Sequence, residues 1–136
     1  LKNAIGDKIQ ELGHEFGATT GRKRRCGWLD LVLLKRVIES QGMDYICLTK
    51  ADIFQDFHTK IGLVTAYKDQ PEYLGDLLNT SLYKMGTTVE FFEPWKSTTL
   101  SDHNFVKFKE RIENYCGTKI AFIGTGPNRD DLICLK

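Results

Sequence analysis

Apolar and polar positions change rhythm along this chain, and each change marks a predicted element. Trp28, Leu31, Val32, Leu34 and Ile38 recur at helical spacing, which predicts a helix over 28–40. Gly42 stands where a helix C-terminal cap belongs. From Ser101 to Cys116 the pattern is cleanly amphipathic. Phe105, Phe108, Ile112 and Tyr115 take one side, and Lys107, Lys109, Glu110 and Glu113 take the other. Ser101 or Asp102 can cap its start and Gly117 its end. Tyr45–Thr49 is a short apolar run after a helix, the pattern of a buried parallel strand. Ile61–Tyr67, Thr87–Phe92 and Lys119–Ile123 read as further strands, the last running into a turn at Gly124-Thr125-Gly126-Pro127. Residues 1–16 are short and mixed, and read as a strand with a turn at Ile5-Gly6-Asp7. Gln70–Met85 mixes loop and helix signals. The expected class is α/β: one mixed, mostly parallel sheet with flanking helices, in a single domain over 1–136.

Composition changes this picture little. The 136 residues are long enough to bury a core, and 41% apolar with 27% charged is an ordinary soluble balance. The net charge of +1 argues against general nucleic-acid binding, because any cationic patch must be local. No apolar stretch reaches the length of a membrane span, and no secretory signal is visible. Cys26, Cys47, Cys116 and Cys134 lack zinc-type spacing, so buried, reduced thiols in a cytoplasmic protein are expected. The chain opens on Leu1 rather than Met, in what reads as the middle of an element; a segment of a longer chain is expected.

The candidate chemistry is concentrated in three places. Gly17-Ala18-Thr19-Thr20-Gly21-Arg22-Lys23-Arg24-Arg25 sets two hydroxyls between glycines and runs into four cationic side chains. Glycines let backbone approach a ligand, hydroxyls and N–H groups donate, and arginine grips carboxylate or phosphate with a planar fork. A small polyanion suits this loop; a solvated basic run, a nuclear-localisation signal or a nucleic-acid patch is the alternative. The loop leads into a helix N-terminus, whose partial positive charge acts in the same direction.

Thr49-Lys50-Ala51-Asp52 follows a strand, where open α/β sheets place ligands. A carboxylate here can accept from the N1–H and exocyclic amine of guanine, which adenine cannot match. The Lys50 stem can lie along the base with its ammonium in water. A solvated Lys and Asp after a strand is the plainer alternative. Gly124-Thr125-Gly126-Pro127-Asn128-Arg129-Asp130 offers backbone groups at the same sheet edge and can close over a base or phosphate, or be a simple loop.

Together these residues carry a family resemblance. Glu15–Trp28 closely resembles the signature of adenylosuccinate synthetase, as does Leu48-Thr49-Lys50-Ala51-Asp52 at the expected distance downstream. Val89–Trp95 and Ile123–Arg129 are similar to the family's late segments. The resemblance spans essentially the whole chain and corresponds to the C-terminal portion of that GTP-binding-type ligase fold. It implies a two-step ligation: GTP phosphorylates the 6-oxygen of IMP, then the aspartate amine displaces phosphate. By the match, Ala18, Thr19, Thr20, Gly21, Arg22, Lys23 and Arg24 would cradle aspartate. Arg22 would also reach IMP, and Arg24 would lie between aspartate and GTP. Lys50, Ala51 and Asp52 would read guanine, with Gly124, Thr125 and Gly126 closing on it.

The resemblance implies magnesium in the parent enzyme with no metal ligand in this chain, and a homodimeric cytoplasmic parent. It assigns no catalytic residue here, because the family's phosphate loop, catalytic aspartate and catalytic histidine lie in its N-terminal part. His14, His58 and His103 do not fall in the matching contexts. The chain alone is therefore expected not to turn over. Departures are Gly124 for a usual serine, Ala51 for a larger aliphatic, a short stretch between Tyr67 and Val89, and no glycine before Trp95. Compact versions of this kind are similar to a viral branch that uses dGMP in place of IMP, some with ATP as donor.

Overall fold

The computed structural model describes residues 1–68 and 86–135, so the expectation for Gln70–Met85 lies outside the described residues. Contrary to the expected strand, Ala4–Leu12 is a helix, α1. The Asn3 side chain accepts from Gly6 N at 3.1 Å and caps it. Ile5, Ile9 and Leu12 share one face, and Ile9 is buried. The misleading signal was Gly6, a residue that disfavours helix by roughly 1 kcal/mol against Ala. Here its lack of a Cβ makes room for Leu1, whose carbonyl oxygen would lie 2.7 Å from that atom.

The helix expected from Trp28 begins later. Leu29–Asp30 first forms a short strand, β1, and Leu31–Gln41 forms α2. Asp30 ends the strand and caps the helix, its side chain accepting from Leu33 N at 3.0 Å. Gly42 takes the left-handed conformation at the C-cap, as the pattern predicts. Strand β2 is Tyr45–Leu48, β3 is Ile61–Tyr67 and β4 is Thr87–Phe92. Helix α3, His103–Cys116, is capped by Asp102, and Gly117 closes it. Strand β5 is Lys119–Gly124. Leu132–Cys134 adds β6, a three-residue strand that the sequence pattern did not reveal.

These elements make an α/β fold with two mixed three-stranded sheets rather than one. The orders are β1-β3-β4 and β2-β5-β6. Each combines one parallel and one antiparallel pair: β1 with β3 and β2 with β5 are parallel, β3 with β4 and β5 with β6 antiparallel. Helix α2 packs on α3 and β3, and α3 reaches β5. Leu31, Ile61, Leu63, Trp95, Phe105, Ile112 and Ile123 are almost wholly buried and join the two sheets through one core. Among the described residues, the core covers one face of β2. Ile46 and Leu48 pack inward, while Tyr45 and Cys47 are exposed, so β2 is not the buried strand expected. The thiol expectation changes with it: Cys116 is buried, Cys26 half-buried, and Cys47 and Cys134 exposed.

Candidate functional site

The cationic loop is folded by its own backbone. Phe16 and Lys23 form an antiparallel bridge. Gly17 N donates to Arg22 O at 2.8 Å and Gly21 N to Gly17 O at 2.9 Å. Gly21 holds φ near +63°, which a side chain would strain. The Thr20 hydroxyl accepts from Arg22 N at 3.4 Å. Thr20, Arg22, Lys23 and Arg24 line a cavity of about 410 Å³. Ala18, Thr19 and Gly21 stand at the exposed tip, outside that lining.

The strand-end motif is shaped differently. Lys50 has φ near +58°, an uncommon conformation for a long side chain and one that concentrates at functional sites. Ala51 is buried, and its carbonyl accepts from Trp95 Nε1 at 3.0 Å. Asp52 opens a short 3₁₀ turn. Lys50, Asp52, Gly126 and Pro127, with His14, line a cavity of about 380 Å³. His14 also has a positive φ, near +48°. At the last turn Gly124 runs beside Thr49, where a Cβ would meet Thr49 Cα at 3.5 Å. Thr125 N donates to Asp131 O at 2.8 Å, which closes the turn.

A cleft of about 490 Å³ connects the two motifs. Arg24 and Arg25 enter it from the loop, and Thr49, Lys50 and Ala51 from the strand end, with Trp28 along one side. Arg24 lines both the loop cavity and the cleft; Lys50 lines both the cleft and the last-turn cavity. The structure thus places Arg22, Lys23, Arg24, Lys50, Asp52 and Gly126 on three neighbouring pockets that share Arg24 and Lys50 as walls.

Glu15 sits at the junction. Its carboxylate accepts from Arg24 Nη1 at 3.0 Å and from Lys50 Nζ. Those bonds, from Lys50 first and then Arg24, hold the carboxyl below its ordinary range. Lys50 Nζ also donates to Gly13 O. The nearby Cys26 thiol is pushed up by burial, which disfavours a thiolate. Among the described residues, no group of three or more His, Cys, Asp or Glu is placed to hold a metal ion. Among them too, no helix is long and apolar enough to cross a membrane.

The adenylosuccinate synthetase family model matches residues 1–133. The chain belongs to the adenylosuccinate synthetase family. Adenylosuccinate synthetase of Thermotoga maritima is 42% identical over 98% of this chain and 32% of its own length. That of Hydrogenobaculum is 40% identical over 99% of this chain and 34% of its own. A solved structure, the fully ligated adenylosuccinate synthetase of Plasmodium falciparum, superimposes with a TM-score of 0.84 at 32% identity. It covers 100% of this chain and 35% of the Plasmodium chain. The chain therefore spans about a third of the length of the adenylosuccinate synthetases it matches. The loop, the strand-end motif and the last turn all fall within the matched adenylosuccinate synthetase region.

Sequence reasoning named the cationic and glycine residues of this region but missed Glu15, His14 and Trp95 as parts of the site. Glu15 and His14 carried one readable signal, their place directly before the loop. Trp95 touches Ala51 across 44 residues, which no local pattern announces.

Proposed function

We propose that this chain supplies the aspartate- and guanine-nucleotide-binding portion of a ligase that forms adenylosuccinate from IMP, aspartate and GTP. The observation that carries it is the convergence of Arg24 and Lys50 on one cleft from motifs remote in sequence. Aspartate brings two carboxylates, which the forks of Arg22 and Arg24 suit, and the loop Ala18–Arg24 would enclose them. Arg22 would also hold the IMP ribose. Arg24, reaching from loop to cleft, would lie between aspartate and the nucleotide. Lys50 would lay its stem on guanine, Asp52 would accept from the base, and Gly124, Thr125 and Gly126 would close over it. Ala51 contributes backbone, held by Trp95.

In this proposal GTP gives its terminal phosphoryl group to the 6-oxygen of IMP. The aspartate amine then displaces phosphate, leaving adenylosuccinate, GDP and phosphate. The groups that move the phosphoryl group and protons belong to the rest of the parent enzyme, a cytoplasmic homodimer. Magnesium would supply charge neutralisation on GTP there; the described residues do not fit a metal site, and no step on this chain runs through it. The residues here bind, orient and discriminate.

The test is adenylosuccinate formation by the complete enzyme. Product requires IMP, GTP and aspartate together, and glutamate does not replace aspartate. The 136-residue chain alone gives none. Product with dGMP and not IMP would reassign the acceptor. Turnover by the isolated chain would refute the division of labour. Steeply salt-dependent nucleic-acid binding without ligation would instead mark a basic binding module.

A further inference from the structure

We propose that Glu15 is a positioning residue that couples the aspartate loop to the guanine-reading strand end. This rests on the function proposed above and extends it to a residue outside both motifs. One carboxylate oxygen of Glu15 accepts from Arg24 of the loop, and the other from Lys50 after β2. The pair Glu15 and Lys50 lies 35 positions apart, so the contact is tertiary. Glu15 is itself fixed by backbone. Its N–H donates to Gln10 O at 2.9 Å, and its carbonyl accepts from Arg24 N at 2.9 Å. The same carbonyl accepts from Gln10 Nε2 at 2.8 Å, and Gln10 is buried at the end of α1. The carboxylate is therefore a strut, on a fixed backbone, between the cation proposed to lie between aspartate and nucleotide and the cation proposed to lie on guanine. Like any carboxylate in its ordinary range it is ionised at neutral pH, and the two cations lower its pKa further.

The strut does two things. It sets where the Arg24 guanidinium and the Lys50 ammonium stand before any ligand arrives, which reduces the ordering cost of binding. It also makes the two cations share one counter-charge. Loss of Lys50 leaves Glu15 wholly to Arg24, and the arginine is then held away from the aspartate carboxylate. Linkage requires the effect to be reciprocal in binding. The Arg24 side chain is 59% exposed and that of Glu15 23%, so the coupling belongs at the screened, lower end of the usual range.

The test uses the complete enzyme with two variants. Glu15→Gln raises KM for both aspartate and GTP by about fivefold or more, while kcat changes by less than about threefold. Lys50→Met, which keeps the apolar stem and removes the charge, raises KM for aspartate as well as for GTP. Thermal melting of each variant is followed alongside, because a purely structural strut lowers the melting temperature without moving KM. Unchanged KM values in Glu15→Gln overturn the proposal. So does a fall in both, which would make Glu15 a mere competitor for anions. If Glu15→Gln does not fold, Lys50→Met decides: an effect confined to GTP overturns the coupling, and an aspartate effect supports it. No ligation by the unmodified enzyme would reject the functional proposal and this one together; ligation with unmoved KM values rejects this one alone.

Discussion

Lys50 shows how much one position must satisfy. Its backbone is left-handed, its ammonium is held by Glu15 and Gly13, and the residue after it is buried. Trp95 makes this conformation affordable to the fold by taking the Ala51 carbonyl as acceptor. The indole packs against Phe54, Phe105 and Phe108, so the strand-end motif rests on the aromatic core. Trp95→Phe removes the donor and leaves a void. We expect a loss of about 2 kcal/mol in urea-measured stability, from the lost bond and the cavity together. An unaltered urea midpoint would show that the indole N–H does not support the motif. At this scale the sequence revealed chemistry but not partnership. Arg22, Arg24, Lys50 and Asp52 stood out by type and spacing. The meeting of Arg24 and Lys50 on one cleft, with Arg22 and Asp52 in the pockets to either side, depends on contacts between distant segments, which no window of the sequence contains.

Elements were legible where caps and periodicity agreed. Helix α3 is the clear case: an apolar stripe, Asp102 before it and Gly117 after it. Helix α1 was hidden by a glycine inside a short stretch, and β6 by its length of three residues. The burial of β2 was misjudged because a sheet covered on one side alternates, whereas its apolar run suggested cover on both. Helix α3 also carries a buried charge. Glu113 is 5% exposed and accepts from Lys109 at 2.8 Å, Lys119 at 3.2 Å and Ile120 N at 2.9 Å, which ties the helix to β5. Burial raises its pKa, but Lys109, the Ile120 amide and Lys119 outweigh that and hold it below the ordinary carboxylate range. A depressed folded value adds stability above the ordinary carboxylate range, and that stability is lost as pH falls through the lowered value. Glu113→Gln leaves Lys109 without a counter-charge and costs about 3 kcal/mol at neutral pH. The variant's stability should also fall less steeply on acidification. Equal acid slopes in the two proteins would contradict the assignment.

At the scale of the whole molecule, the two mixed sheets of the described residues are joined by one large core, and their loops line neighbouring pockets. The α/β class and the family were readable from sequence because the motifs are dense and specific. The division into two sheets was not, since strand order depends on long-range pairing. The chain covers about a third of its relatives, so its substrates meet residues from outside it in the function proposed here. The central claim is that Asp52 reads guanine beside an aspartate loop. It is tested most directly by initial rates of adenylosuccinate formation with GTP and with ATP, for the complete enzyme and its Asp52→Asn variant. One lost hydrogen bond to a charged group corresponds to about tenfold or more. The account predicts that kcat/KM for GTP falls by at least that factor while the value for ATP falls less. An equal loss with both donors, or none with GTP, would contradict it.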